Sequence, residues 1–410
     1  MNARQTRNRC TLEAIASLPN LFIAAAKGRR GKSRRTDVEE WWMRPEVKLL
    51  ALRDAVLSGT YLPGAYHFFE IHEPKRRVIA AAPFRDRVVH HALCNYLAPV
   101  LDRCFIARSF SCQIGKGTRA APECCRQLTN RHRFVLKCDV RKFFPNLDPV
   151  ILFNKLKEEV RCEGAVDLIQ RILVSFRTGV DVPAPISPGD DPVEASARPR
   201  GVLIGNLTSQ LWGNFYLDGL DHWMTEEERH GDYLRYTDDF LVFGNDKARL
   251  WELREGIVAQ LAAVRLKLAE PKSRLLATRE GVPFCGFRFL PDLRPRILGA
   301  TKRRFEARRY HLFERAPLKR LTQAVFAWYQ FSREGNSEGL RRAYAKWPPD
   351  ARLKRRQRKH RVLRGGSWNG YDPGNFSALY RRRLHPDLRF NFNYGFRCGL
   401  FAGVSPKAGR

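Results

Sequence analysis

The chain has 410 residues, 44% of them hydrophobic, enough for a real core and for two or three structural units. Lys and Arg number 74 against 42 Asp and Glu, leaving +32, so the expected partner is a polyanion, nucleic acid before an anionic membrane, since no long basic amphipathic helix stands out. Ten scattered cysteines without a C-x-x-C pair argue against a zinc site or disulfide framework and for a reducing, cytoplasmic compartment, and the apolar run 21–26 is too short for a signal peptide or membrane span.

In chain order, residues 1–35 are basic and carry an apolar helix candidate broken by Pro19. Helical patterning with Trp41, Trp42, Leu49, Leu50 and Leu52 runs over 38–57, where Pro45 is expected to kink or divide it. A hairpin follows: His67-Phe68-Phe69-Glu70-Ile71-His72, a Glu73-Pro74 turn, then Arg77-Val78-Ile79-Ala80. Residues 86–97 and 120–128 read as helices. The stretch Phe134-Val135-Leu136-Lys137-Cys138-Asp139 reads as a strand, and period-two alternation puts Val135, Lys137 and Asp139 on one face. Helices are expected over 149–160, with Asp148 as N-cap, and over 165–176. Residues 178–200, rich in Pro, Gly and Asp, read as a surface loop.

The most informative stretch is Arg235-Tyr236-Thr237-Asp238-Asp239-Phe240-Leu241-Val242-Phe243. Two adjacent acids between apolar runs suggest a hairpin with both carboxylates at its tip, although Asp favours turns for conformational reasons alone. If this hairpin neighbours the Asp139 strand, Asp139 and Asp238 can hold two metal ions roughly 3.5–4 Å apart, a spacing suited to in-line phosphoryl displacement. An amphipathic helix over 247–266, strands near 273–277 and 284–289, and basic helices over 301–347 complete the pattern. Beyond Asp350 the composition changes abruptly. Strands and helices without a regular βαβ repeat indicate an α+β architecture.

Seven blocks between Lys75 and Gly286, in order, resemble those of reverse transcriptases of the retron, group II intron and diversity-generating retroelement lineage, and the resemblance covers about 47–347. It implies a right-hand polymerase with a mixed antiparallel palm sheet and helical thumb. The divisions expected are a basic helical extension (1–60), fingers and palm (61–290), thumb (291–350) and a tail (351–410). By the same resemblance, Lys75 and Arg77 would hold the triphosphate of a dNTP, a task suited to the Arg fork. Ser109 to Thr118 is similar to a template-contacting block, with Gln113 where relatives often carry Arg. Asp139, in a block resembling D-x-x-x-F-F, Asp238 and Asp239, in one resembling Y-x-D-D, and the Val140 carbonyl would bind two Mg²⁺ or Mn²⁺ ions. Phe144 falls at a steric gate against the ribose 2′-hydroxyl, with plain core packing as the other reading. Tyr236 would lie beneath the primer end, and Lys272 would protonate departing pyrophosphate. Phe284, Cys285 and Gly286 resemble a primer-grip hairpin. Lys302 and Arg303 fit a thumb that clasps primer and template through phosphates.

Ile204-Gly205-x-x-x-Ser209-Gln210 resembles the I-G-x-x-x-S-Q form of diversity-generating retroelements, whose enzymes miscopy template adenines, rather than the commoner Q-G-x-x-x-S-P. Ile204, Gly205 and Gln210 would border the incoming nucleotide. Replacing a hydrogen-bonding Gln by Ile should weaken discrimination by about 1–3 kcal/mol. Retron-type and phage-defence enzymes, and a non-catalytic RNA-binding protein with this fold, are the alternatives. Template RNA and cDNA, a small basic helical accessory protein and no membrane are the implied partners. The tail, from Arg361-Val362-Leu363-Arg364-Gly365-Gly366-Ser367-Trp368 to Gly395-Phe396-Arg397, resembles the end of a formylglycine-enzyme-like C-type lectin domain.

Overall fold

The computed structural model describes residues 10–72, 76–113, 115–117, 119–176, 191, 193, 195 and 198–345, and the backbone of 361–364 and 381–384. Lys75 and nearly all of the 178–200 loop and of the tail lie outside the described residues. The chain divides into two compact units, one running to Cys285 and including Phe289–Asp292, the other made of Gly286–Arg288 and the chain from Leu293 on.

The first unit opens with α1 (Leu12–Ala16) and α2 (Leu18–Arg29). The break between them falls at Ser17, not at Pro19, which sits in the first turn of α2, where its missing N–H is harmless. Next come α3 (Thr36–Trp42) and α4 (Pro45–Leu57), divided where Pro45 opens the second helix. Strands β1 (His67–Ile71) and β2 (Arg77–Ala81) form an antiparallel ribbon, with β1 exposed along its whole length. Helix α5 (Phe84–Leu101) is the buried spine, packed on by α2. Its Asp86 accepts from Tyr61 Oη at 3.0 Å and Gly64 N at 2.7 Å, and Arg87 donates to Asp37 at 2.8 Å. Both residues brace the helix, as a buried charge must be partnered.

After α6 (Ala120–Arg131), strand β3 (Phe134–Asp139) leads through a left-handed Lys142 (φ 45°) into the short α7 (Phe143–Asn146). Asp148 then caps α8 (Pro149–Glu159), its Oδ1 accepting from Val150 N at 2.8 Å and Ile151 N at 3.2 Å, and α9 (Glu163–Val174) follows. Helix α10 (Leu207–Tyr216) packs against α5 and continues into α11 (Asp218–His222) and a π-helical turn. Strands β4 (Tyr233–Tyr236), β5 (Asp239–Gly244) and, after α12 (Lys247–Ala263), β6 (Arg274–Ala277) complete a four-stranded antiparallel sheet in the order β4-β5-β3-β6. Leu136, Cys138, Phe240 and Val242 join Leu250, Leu253 and Ile257 of α12 in one core. The unit closes with β7 (Val282–Phe284).

Strand β8 (Phe287–Phe289) pairs through Phe287 and Arg288 of the second unit with β9 (Arg296–Ile297), and α13 (Gly299–Arg315), α14 (Leu318–Arg333) and α15 (Glu338–Ala345) follow in that unit. Phe305 stacks on Trp328 at 4.3 Å, Tyr344 lies 4.8 Å from Trp328, and the Arg309 guanidinium sits 4.4 Å over Tyr344. Gly286 has φ +87°, and a Cβ there would lie 2.9 Å from the Phe331 ring, so this turn accepts only glycine without strain. In the tail, β10 (Arg361–Arg364) pairs with β11 (Arg381–Leu384). No helix among the described residues is long and apolar enough to cross a membrane.

One buried ion pair ties the first unit together. Arg235 on β4 and Asp221 on α11 are both 0% exposed, with Nε 2.7 Å from Oδ1. The same guanidinium donates to Asn214 Oδ1 at 2.9 Å, Asn214 O at 3.0 Å and Thr237 O at 3.0 Å, while Tyr233 Oη donates to Asp221 at 2.7 Å. Burial opposes the charge on Arg235, but Asp221, with Tyr233 and Asp218, more than offsets it and raises its pKa. Removing one partner strands the other, so Asp221→Asn should lose about 3–5 kcal/mol of stability. Urea unfolding would check this, and an unshifted midpoint would contradict the role given to the pair.

Candidate active site

Strand pairing sets the geometry of the acids. On β3 and β5, Asp139 and Asp239 are direct cross-strand partners at the same end of the sheet. Tyr236 pairs with Asp239, so Thr237 and Asp238 form the two-residue turn between β4 and β5. Thr237 takes a left-handed φ of 59°, as such turns demand. Asp239 is therefore the first residue of a strand, and only Asp238 sits at the tip. Thr237 Oγ1 donates to Ser111 Oγ at 2.7 Å and its carbonyl accepts from Arg235, so the buried ion pair holds the turn. Val140 N donates to Asp238 O at 3.2 Å, and Ala269 N to Asp139 O at 2.8 Å. The Asp139 strand end is thus stitched to the turn on one side and to the chain before β6 on the other.

Burial raises the pKa of Asp238, and the negative charge of Asp139 adds to the rise, while Lys272 and Arg77 oppose it. Asp239 is raised by burial too, against the pull of Lys137, with Asp139 and Asp238 pushing further upward. Two lysines answer this crowding of charge. Lys137 Nζ lies 2.9 Å from each Asp239 oxygen and donates to Pro283 O at 2.9 Å. Lys272, in the 3₁₀ turn Glu270–Lys272, donates to Asp139 Oδ1.

Among the described residues no three His, Cys, Asp or Glu side chains are gathered as a ready metal cage. The donors nevertheless fit a hard divalent cation. They are carboxylate oxygens, the set Mg²⁺ and Mn²⁺ prefer. Asp239 Oδ1 is buried and, although close to Lys137, accepts no well-directed hydrogen bond. A cation would relieve that atom and the mutual repulsion of the acids.

The remaining expected site residues fall into three groups. Near the acids, Arg77 is exposed on β2, close enough for its charge to act on Asp238. Tyr236 is half-buried, its phenol pushed up by burial and by the Cys285 and Cys112 thiols. Phe284 is buried on β7 with the Lys137 ammonium 5.9 Å over its ring, and Cys285 turns with φ 44°. Its thiol is pushed up to about 12 by burial and by Asp239.

A second group docks on β2. The Ile204 carbonyl accepts from Ala80 N at 2.9 Å. Gly205 follows with φ +124°, and a Cβ there would lie 2.8 Å from Ile79 Cγ2 and 2.9 Å from Ala80 O. Only glycine lets this loop approach β2 so closely. Gln210 is exposed on α10, and Phe144 is half-buried with its ring 5.2 Å from Phe143. Gln113 donates to Ser109 O at 2.9 Å, and Lys116 is folded onto the carbonyls of Ile106, Ala107 and Ser109. The third group, Gly286, Lys302 and Arg303, belongs to the second unit. Sequence reasoning placed Lys137 on the Asp139 face but gave it no role, gave Arg235 and Ser111 no part in holding the turn, and missed Asp221. Spacing of two along β3 could have flagged Lys137. Asp221 lies on another element, with no local signal to link it.

The sequence family described as Reverse transcriptase (RNA-dependent DNA polymerase) matches residues 72–289, just over half of the chain. The chain belongs to this family. Its β4-β5-β3-β6 sheet with packed helices is consistent with an α+β polymerase fold. No curated protein matches the chain. Among solved structures it is similar to telomerase from Candida albicans in complex with a TWJ fragment of telomeric RNA, at 15% identity and a TM-score of 0.40 over 58% of this chain and 46% of that one. Apo telomerase from Candida tropicalis matches at 11% identity and a TM-score of 0.38 over 55% of this chain and 47% of that one. The reverse transcriptase thus spans about half the length of these relatives.

The raised carboxylates have a signed consequence. An acid whose folded pKa exceeds its unfolded value binds more protons when folded, so stability falls as pH rises between the two values and stays lower above them. At neutral pH the anions of Asp238 and Asp239 therefore oppose folding unless a cation is present. Asp238→Asn should raise the thermal midpoint at pH 7 in chelator and abolish the further rise that Mg²⁺ gives the parent chain. An unchanged midpoint in chelator, or an undiminished Mg²⁺ effect, would contradict this. Gly205→Ala should lower the midpoint in either condition, because the added methyl meets Ile79 and the Ala80 carbonyl.

Proposed function

We propose that this reverse transcriptase is the error-prone enzyme of a diversity-generating retroelement, copying a template RNA into cDNA from dNTPs in the cytoplasm. The observation that carries the catalytic part is the shared rung of Asp139 and Asp239 with Asp238 on the adjoining turn. Two Mg²⁺ ions held by Asp139, Asp238, Asp239 and the Val140 carbonyl would acidify the primer 3′-hydroxyl and offset the charge of the triphosphate.

The chain's own groups supply the rest. Lys272, bonded to Asp139, would give a proton toward leaving pyrophosphate. Arg77, with Lys75 beside it in sequence, offers cationic donors for the triphosphate, which suits its electrostatic reach to Asp238. Phe144 would offer a rigid ring for a gate against the 2′-hydroxyl, and Tyr236, Phe284 and Cys285 a platform for the primer end. Lys302 and Arg303 on α13 would grip the duplex phosphates. The acids sit where three strands meet, while the two lysines keep like charges apart until substrate arrives.

The subtype rests on the Ile204-Gly205-x-x-x-Ser209-Gln210 motif. The Ile204 backbone is pinned to β2, so its side chain offers shape and no hydrogen bond to the nascent pair. Low discrimination opposite template adenine follows from that lost bond. A small basic helical accessory protein is the proposed partner, consistent with an enzyme that works on a long structured RNA.

Primer extension on an RNA template with Mg²⁺ tests both parts. Asp238→Ala should lower the rate about 10³-fold or more, since several kcal/mol of charge stabilisation are removed. Ile204→Gln should polymerise and make about tenfold fewer errors opposite adenine, as one recovered hydrogen bond implies. An active Asp238→Ala enzyme would remove the catalytic reading. An unchanged adenine error rate in Ile204→Gln would remove the subtype reading alone.

A further inference from the structure

We infer that the end of the four-stranded sheet opposite the acids carries a second RNA contact, a cationic groove that holds phosphates of the template strand outside the catalytic centre. Strand β3 runs from Phe134 to Asp139, six residues, so roughly 17–20 Å separate its two ends. At the Phe134 end a cavity of about 570 Å³ opens between the end of α6, the start of β3, the start of α12 and the turn after β6. Arg131, Arg133, Lys247 and Arg279 line it, all exposed, with Glu280 as the one acid of the lining. None of the four cations makes an ion pair with any described residue, whereas Arg108, Arg126, Arg249 and Arg254 each do. Unpaired like charges held around one concavity are unfavourable without an anion.

The groove is rigidly built. Phe134 pairs with Gly244 on one side and Ala277 on the other. Arg133 N donates to Asn245 Oδ1 at 2.9 Å, Thr278 N to Arg133 O at 3.0 Å, and Thr278 Oγ1 to His132 O at 2.6 Å. Three chain segments are thereby fixed to one another, so the cations are presented without a loop having to order first.

The chemistry favours backbone phosphate over base recognition. The Phe134 ring is already covered by the Lys247 ammonium at 4.8 Å and the Arg133 guanidinium at 5.8 Å, so it is not a free stacking platform. Exposed Arg and Lys heads around an open groove position a strand without reading its sequence. A free nucleotide or inorganic phosphate shares this chemistry. RNA is favoured because the four charges come from three separate chain segments around one open groove, and because the proposed function is the copying of RNA.

The test combines Arg131→Gln, Arg133→Gln, Lys247→Gln and Arg279→Gln in the full chain. Affinity for a fluorescent RNA long enough to leave the active centre is measured as a function of salt, beside extension of a minimal primer–template. The proposal expects the long RNA to bind at least tenfold more weakly and the slope of log K against log salt to fall by about 3, roughly four lost phosphate contacts. Extension of the minimal substrate should hold. Glu280→Lys, made separately, should tighten long-RNA binding. Unchanged affinity and slope would overturn the inference. So would weakened binding of a labelled dNTP or of inorganic phosphate with long-RNA binding intact, which would assign the groove to free phosphates. Because Asp139, Asp238 and Asp239 are untouched in every variant, failure here leaves the catalytic reading standing, and failure of that reading leaves this groove testable by binding alone.

Discussion

Two carboxylates on one cross-strand rung, with a third on the turn beside them, create a repulsion that the rest of the sheet must contain. Like charges directly opposite in a sheet are destabilising, and burial makes them more so. Here the pairing of Asp139 with Asp239 is fixed by the register of β3 on β5, which in turn follows from Leu136, Cys138, Phe240 and Val242 filling one core face. A slip of one residue would exchange the two buried faces of the pair and take those apolar groups out of that core. The hydrophobic pattern therefore holds the acids together against their own charge.

Containment comes in two layers. Lys137 and Lys272 each neutralise one acid from outside the rung. Deeper in, the Arg235–Asp221 pair and its hydrogen bonds to Asn214 and the Thr237 carbonyl keep the Asp238 turn from relaxing away. Lys137 also bonds the Pro283 carbonyl, so the acid on β5 and the strand leading to Cys285 share one ammonium. This arrangement keeps charge concentrated and poorly solvated at one spot, which is the condition under which a divalent cation is bound most usefully.

Much of this was legible in the sequence, and for identifiable reasons. Period-two alternation over 134–139 and the apolar runs flanking Asp238-Asp239 are local signals, so both strands and the hairpin between β4 and β5 could be read directly. Asp148 announced its helix by capping, and Pro45 divided α3 from α4 as its missing donor requires. Pro19 misled because proline is as acceptable in a first turn as it is disruptive in an interior one. The placement of Asp239 in the strand rather than at the tip follows from a two-residue turn, a detail of register that pattern alone does not fix. Asp221 was invisible as a partner of Arg235 because their meeting depends on how α11 packs behind the sheet. The pinning of Ile204 and Gly205 on β2 was hidden for the same reason: it joins segments more than a hundred residues apart.

The central claim is that Asp139, Asp238 and Asp239 form one divalent-cation centre. Anomalous scattering from crystals soaked in Mn²⁺ tests it most directly. The account requires a manganese peak within coordinating distance of the Asp139 and Asp238 carboxylates, with Lys272 displaced from Asp139. Manganese bound elsewhere on the chain, with both lysines still seated on their acids, would contradict it.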